Sequence, residues 1–203
     1  MIVWSNLTAE AWDVLQQKGI LRAACQHVDS DFLPAYIWMA EQMERRLAVP
    51  RPSKDMMPIW VWSQWWGGRR KPDLRATGHL PKGTRGVRIE CKVSDERVLL
   101  SDFELWHFVL NYGYLPKTEK EEEKFERELT AAGLSLTGCS LRNPLSNDEY
   151  REKIEKSWER IFDLTWTDPH HAIVTRTKDR SIQGTMWELW LDDVVDSKDF
   201  KAR

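Results

Sequence analysis

The stretch "GVRIECKV", Gly86–Val93, decides how this chain is read. Val87, Ile89, Cys91 and Val93 alternate with Arg88, Glu90 and Lys92. An apolar and a polar side along one short segment predict a half-buried β-strand. Downstream, "SDFE" at Ser101–Glu104 has the spacing of a capping box, and it predicts a helix through "LWHFVLN". Upstream lies a run of glycine, proline and charge from Gly67 to Gly86, preceded by "MPIWVW" at Met57–Trp62. That segment predicts a second strand, and a period of two sets Trp60 and Trp62 on the same side.

The flanks add helices. Met1–Trp4 predicts a short strand, and Thr8 caps a helix over Ala9–Lys18 that Gly19 stops. A second helix starts near Asp31 with Pro34 in its first turn. Tyr36, Ala40, Met43 and Leu47 form its stripe, and "VPRPS" ends it. Lys117–Gly133 predicts a peripheral charged helix with a thin stripe of Phe125, Leu129 and Ala132 and an ion pair between Glu123 and Arg127. A further helix begins near Asn147, with Tyr150, Ile154, Trp158 and Ile161 on its apolar side. "SIQGTMWELWLDDVV", Ser181–Val195, predicts one long strand in which Gly184 marks a bulge or a close approach. Together these elements predict a single α+β domain over residues 1–203.

Composition narrows the class. The 203 residues are 31% charged with a net charge of -2, which excludes a disordered tail and a uniformly basic nucleic-acid coat. No apolar run approaches the roughly 20 residues that span a bilayer, so no membrane partner is expected. The N-terminus "MIVWSNLTAEAW" turns polar too early for a signal peptide. Cys25, Cys91 and Cys139 are odd in number and far apart, which suits buried thiols in a reducing cytoplasm.

Charge is segregated along the chain. Between Gly67 and Arg88, the cations Arg69, Arg70, Lys71, Arg75, Lys82, Arg85 and Arg88 stand against Asp73 alone. Segregated cations focus a field on an anionic partner, and the loop's glycines let backbone N–H groups approach a phosphate. Trp60, Trp62, Trp65 and Trp66 beside them offer flat faces for a planar ring. The plainer alternative is a solvated basic loop anchored by core tryptophans. His170 and His171 are adjacent and point to opposite sides of an extended segment, which disfavours a shared metal. His107 sits within the third predicted helix, where a histidine satisfied by its own helix is the simpler reading. No G-x-S-x-G, P-loop or H-E-x-x-H motif is present.

Several phrases taken together resemble one family. "AYIWMAEQM", "PIWVW", "KPDLR", "GVRIECKVSDERVLLSDFELWH" and "QGTMWELWLDDVV" are similar to an uncharacterised bacterial domain of unknown function, over nearly the whole chain. More distantly, the first strand, the helix ending in "KGIL", the "GVRIECKV" strand and the strand before "DDVV" resemble the ADP-ribosyltransferase superfamily. That resemblance implies a bent mixed or antiparallel sheet flanked by helices, around a cleft for NAD. The superfamily places a His or Arg on the first strand and a Glu on a late strand. This chain has Trp4-Ser5 and Gln183 there, and Glu188 falls five residues later, on the opposite face. An amide cannot offset an oxocarbenium charge as a carboxylate does.

The expectation is a nucleotide or nucleic-acid-like anion, NAD or RNA, bound in a tryptophan-walled basic cleft. If it is an enzyme, transferase-like chemistry on NAD or RNA is the expected class, with Ser5 and Gln183 as the catalytic candidates that orient the substrate. Trp60, Trp62, Arg69, Arg70, Arg75 and Arg88 are the ligand-binding residues, and no metal is expected. The alternative is a non-enzymatic module for a protein or nucleic-acid partner.

Overall fold

The computed structural model describes residues 1–68, 71–166 and 179–203. Nine strands and five helices lie among them. In chain order they are β1 (Ile2–Thr8), α1 (Ala9–Lys18), β2 (Ile20–Ala24), α2 (Leu33–Arg46), β3 (Met56–Met57), β4 (Ile59–Gln64) and β5 (Arg85–Lys92). Then come β6 (Leu99–Asp102), α3 (Phe103–Leu110), α4 (Glu119–Ala131), α5 (Asp148–Trp158), β7 (Ile182–Met186), β8 (Glu188–Trp190) and β9 (Val194–Lys201).

Six strands form one sheet in the order β6-β7-β4-β1-β5-β9, and three form a second in the order β3-β2-β8. Among the described residues every strand pairing is antiparallel. The larger sheet is covered on both sides, which explains why its strands carry so much apolar surface. On one side Val3, Ile59, Val61, Val87, Ile89, Cys91 and Met186 pack with Leu15 of α1 and Leu189 of β8. On the other, Trp60 and Leu99 meet a helical core built by Met39 and Met43 of α2, Leu105 and Trp106 of α3, and Ile154 and Trp158 of α5.

The local signals explain most boundaries. Thr8 accepts the amide of Ala11 at the start of α1, and Gly19 ends that helix in the left-handed conformation with φ 72°. Pro34 sits in the first turn of α2, and Asn147 caps α5 by accepting the amide of Tyr150. Helix α4 docks through Phe125, which stacks on Tyr114 at 3.9 Å, and through buried Leu129. Its Glu123–Arg127 pair forms at 3.5 Å.

The expected long strand over Ser181–Val195 is corrected. The chain leaves the large sheet after Met186, buries Trp187 in the helical core, and enters the small sheet as β8 before returning as β9. Gly184 is indeed a close approach: a Cβ there would lie 2.5 Å from Val98 Cγ1.

The capping position is also corrected. Ser101 lies inside β6, and Asp102, the strand's last residue and the one next to the helix, caps α3 by accepting the amides of Glu104 and Leu105. Among the described residues, no helix is long and apolar enough to cross a membrane.

Candidate functional site

One line of residues crosses all six strands of the large sheet. Ser101 of β6 pairs with Gln183, Gln183 with Trp62, Trp62 with Trp4, Trp4 with Glu90, and Glu90 with Asp196 of β9. Directly opposed residues share a face, so these six side chains stand in a row. By the same alternation Asn6, Trp60, Arg88 and Thr185 lie on this face too.

The two ends of the row differ in chemistry. At the β9 end, charges are neutralised. Trp4 Nε1–H donates to Glu90 Oε2 at 3.0 Å, and Lys71 Nζ lies 2.6 Å from that oxygen and 3.6 Å from Asp196. The hydrogen bond from Lys71, then that from Trp4, holds the Glu90 carboxyl below its usual range. Arg88 Nη1 donates to the Pro72 carbonyl at 2.9 Å, so the loop after Gly67 is tied down over this end.

The β6 end is different. Gln183 is 5% exposed and Ser101 0%, yet Gln183 Nε2 and Ser101 Oγ have no hydrogen-bond partner among the described residues. Both amide atoms of Asn6 are sealed from solvent and also lack a partner among the described residues, but Asn6 lies on β1 opposite Arg88, away from this end. Such groups are rare in folded proteins, because each forfeits its hydration without compensation. Beside Gln183, Trp62 packs at 4.7 Å from Trp65 and 4.9 Å from Phe103, and Trp65 lies 5.1 Å from His79. The result is a polar strip bounded by aromatic rings.

Beneath the strip lies a buried ion pair. Asp102 sits 3.5 Å from Arg180, and both are almost fully buried. Arg180 also donates to the carbonyls of Leu164 and Trp166, while its own carbonyl accepts from Gly67 N–H and the Gln64 amide. Burial pushes the Asp102 carboxyl up, against its backbone hydrogen bonds and the Arg180 charge.

The sequence-derived site residues are distributed unevenly. Trp62 and Gln183 are neighbours in the row. Trp60 is on the same face but packs under the helices, 4.9 Å from Trp106 and edge-on to Tyr36 at 5.7 Å. Ser5 pairs with Ile89 on the opposite face and donates to the Trp60 carbonyl at 3.2 Å, so it does not stand beside Gln183. Arg75 grips Asp73 at 2.9 Å, and its side chain is 78% exposed. That contact draws the Asp73 carboxyl down to about 2. Arg69, Arg70, His170 and His171 lie outside the described residues.

Glu188 is on another strand of another sheet, where it pairs with Arg22 at 2.6 Å. His107 Nδ1 reaches the Phe103 carbonyl of its own helix at 3.1 Å. Among the described residues, no group of three His, Cys, Asp or Glu side chains could hold a metal ion. Ser101, Asp102 and Arg180 escape sequence reading. The capping motif pointed at two of them, but only the strand register brings Ser101 to Gln183.

A charged recess of about 590 Å³ lies elsewhere, between α2 and α5, where Glu41, Glu149, Glu152, Glu155 and Glu159 stand against Arg45, Lys153 and Lys156.

Antiparallel sheets with helices packed on both sides of the larger one define an α+β protein. The chain belongs to the family described as Domain of unknown function (DUF3841), whose model matches residues 2–195. Neither the curated proteins nor the solved structures contain a match to it.

Proposed function

We propose that the strip formed by Ser101, Gln183 and Trp62 binds the planar ring of a nucleotide or nucleic-acid-like ligand. The observation that supports this most is the set of buried polar groups without partners. An unmet buried donor or acceptor costs about 1–3 kcal/mol, and a ligand edge that satisfies it recovers that cost. Trp62 and Phe103 supply ring faces for stacking, as base-binding sites do. Among the described residues the charges nearest the strip are already paired, so the strip itself reads neutral donor and acceptor groups.

The likeness to the ADP-ribosyltransferases belongs to this proposal, together with NAD as a ligand and a bacterial cytosol as the setting. Gln183 takes the place of the superfamily's Glu, which removes the charge that a ribosyl cation requires. The reading is therefore a binding protein with a degenerate transferase-like site. Ser101 replaces Ser5 as the group that orients the ring, because Ser5 is turned to the other face.

Calorimetric titration with uridine, adenosine, NAD and nicotinamide tests it. At least one should bind saturably, and Gln183→Met should weaken that ligand about ten-fold through loss of one buried hydrogen bond. Wild-type protein that binds none of them, or a ligand indifferent to Gln183→Met and Ser101→Ala, would remove the reading. Nicotinamide release from NAD should stay at background. Robust turnover would instead make the protein an active enzyme.

A second reading, a non-catalytic interaction module, is favoured by the charged recess between α2 and α5, where Glu155 has no ion pair of its own among the described residues while Glu41, Glu149 and Glu159 are paired. Burial, reinforced by Glu41 and Glu152, pushes the Glu155 carboxyl up there, as a basic partner could relieve.

A further inference from the structure

The β9 edge of the larger sheet carries a charge pattern that a single chain does not explain. β9 pairs only with β5, and Val195–Asp199 within it are exposed. Three couples of charged residues stand directly opposed between the two strands: Arg85 faces Lys201, Arg88 faces Lys198, and Glu90 faces Asp196. Each couple is of like sign. Like charges opposed in this way destabilise a sheet, whereas opposite ones stabilise it. Lys71 relieves the acidic couple, lying 2.6 Å from Glu90 and 3.6 Å from Asp196. Lys198 is exposed and has no ion pair among the described residues.

The backbone of this edge is open to pairing. Ala202 N–H donates inward to the Thr84 carbonyl at 2.9 Å, and the Ala202 carbonyl accepts from Gly83 N–H at 2.9 Å. Hydrogen-bonding direction alternates along a strand, so the backbone groups of Ser197, Asp199 and Lys201 point away from β5. No described residue hydrogen-bonds to them there.

A second copy of this chain fits the edge. A two-fold axis that pairs two β9 strands antiparallel runs perpendicular to the sheet, keeps every side chain on its own face, and so sets one residue opposite itself. With Ser197 on the axis, the two serines exchange N–H···O=C bonds. Asp196 of each copy then lies opposite Lys198 of the other, in the position where side chains approach most closely. Each of these residues, set against a like charge on β5, gains an opposite charge on its other side. Centring the pair on Asp196, Lys198, Asp199 or Lys201 instead opposes a charge to itself. Val195 stands at the irregularity of the β5 ladder. A pair centred on Phe200 overlaps less of β9, and that ring lies back over Gly86, 2.8 Å from where a Cβ would stand. Charges on an edge strand prevent indiscriminate pairing, and these leave the Ser197 register open.

We propose that β9 is a homodimer interface, in which two copies pair about Ser197 and join their six-stranded sheets into one. The inference is independent of the nucleotide reading, whose strip lies at the opposite, β6 end of the sheet.

Sedimentation equilibrium of the whole protein tests it. Wild type should dimerise reversibly below millimolar concentration. Asp196→Lys sets like charges opposite each other on both sides of the axis and should weaken the dimer about ten-fold or more. Combining Asp196→Lys with Lys198→Asp should restore it, because the same pairs form with their signs exchanged. The exchange also sets opposite signs against Glu90 and Arg88, which protects the fold. Ser197→Pro removes the central donor, whose N–H takes no part in the β5 ladder, and should leave a monomer that melts like wild type.

Wild-type protein that stays monomeric at millimolar concentration would overturn the interface and leave the charges as guards of a bare edge. A dimer indifferent to Asp196→Lys, or one that the exchange fails to restore, would overturn the register and the proposal with it. A dimer untouched by Ser197→Pro would place the contact elsewhere and overturn it as well.

Discussion

The protein buries two glutamines in opposite circumstances, and replacing each with methionine separates function from stability. Gln183, 5% exposed on a strand between Trp62 and Ser101, leaves Nε2 without a partner among the described residues. Gln42, 2% exposed, accepts a hydrogen bond from Arg46 Nε at 3.2 Å. Methionine is unbranched like glutamine and fills similar space without polar atoms. At position 183 it removes an unmet group that costs about 1–3 kcal/mol, less some imperfection in repacking, so Gln183→Met should stabilise the ligand-free protein by about 1 kcal/mol. For a chain of this length that raises Tm by about 2–4 °C. Gln42→Met should do the reverse and lose about 1 kcal/mol, since it deprives Arg46 of an acceptor. Gln183→Glu sharpens the test, because it places a carboxylate where the described residues show no free cation, and it should destabilise at neutral pH. Urea unfolding followed by far-UV circular dichroism and tryptophan fluorescence gives all three values, provided m stays constant. If Gln183→Met loses more than about 1 kcal/mol, as a satisfied residue of this kind would, the Gln183 amide is held within the fold and does not await a ligand.

Three further outcomes follow from the packing and the charges. Gly184→Ala drives a methyl to 2.5 Å from Val98 Cγ1 and 3.2 Å from Val61 Cγ2, so it should cost about 1–3 kcal/mol in urea unfolding, with part regained in a Gly184→Ala/Val98→Ala double variant; a neutral single variant would mean the strands can separate. Cys25 is exposed whereas Cys91 is buried with its thiol pushed up to about 12, chiefly by desolvation. An aromatic disulfide reagent should therefore modify Cys25 in native protein and reach Cys91 only in denaturant; early modification of Cys91 would contradict the packing of β5. Glu90, held below its ordinary 4.5 by Lys71 and Trp4, contributes stability that is present above that ordinary value and is lost as pH falls through the lowered one. The stability gap between wild type and Glu90→Gln should therefore close in acid, and a gap independent of pH would show that the pair contributes through packing alone.

Much of the fold was legible because local chemistry agreed with tertiary structure. The alternation of Gly86–Val93 became β5 with Val87, Ile89 and Cys91 inside, and Thr8 and Gly19 bounded α1 as capping rules require. The segment Ser181–Val195 failed for a definable reason. β-rich residues on both sides of Trp187 read alike, and nothing local reveals that Trp187 is drawn into the helical core so that its two flanks join different sheets. The candidate site was legible only in part. Gln183 and Trp62 were singled out separately, but their opposition, and the arrival of Ser101 beside them, depend on registers between strands far apart in the chain. Ser5 shows the reverse error: one residue from Trp4, it belongs to the other face, because a strand alternates at every step.

The cationic segment is where composition and structure diverge most. Counted along the chain, it is a strong positive field, yet Lys71 is taken up by Glu90 and Asp196, Arg75 by Asp73, and Arg88 by a backbone carbonyl. Two of these contacts hold the loop down over the β9 end of the row, which gives Lys71 and Arg88 a structural task that charge counting cannot reveal. The Asp73–Arg75 pair is different, for it is exposed and tethers nothing beyond its own turn. Exposed pairs contribute little to stability, so this arginine can change partners at little cost to the fold. Beneath the strip, the Asp102–Arg180 pair neutralises itself and spends its hydrogen bonds on backbone groups. Charge is thus confined to the rim and the floor, and the aromatic strip between them keeps only neutral groups to offer. A site divided in this way suits a ligand whose ring is uncharged and whose charge lies at a distance from the ring, which is the construction of a nucleotide.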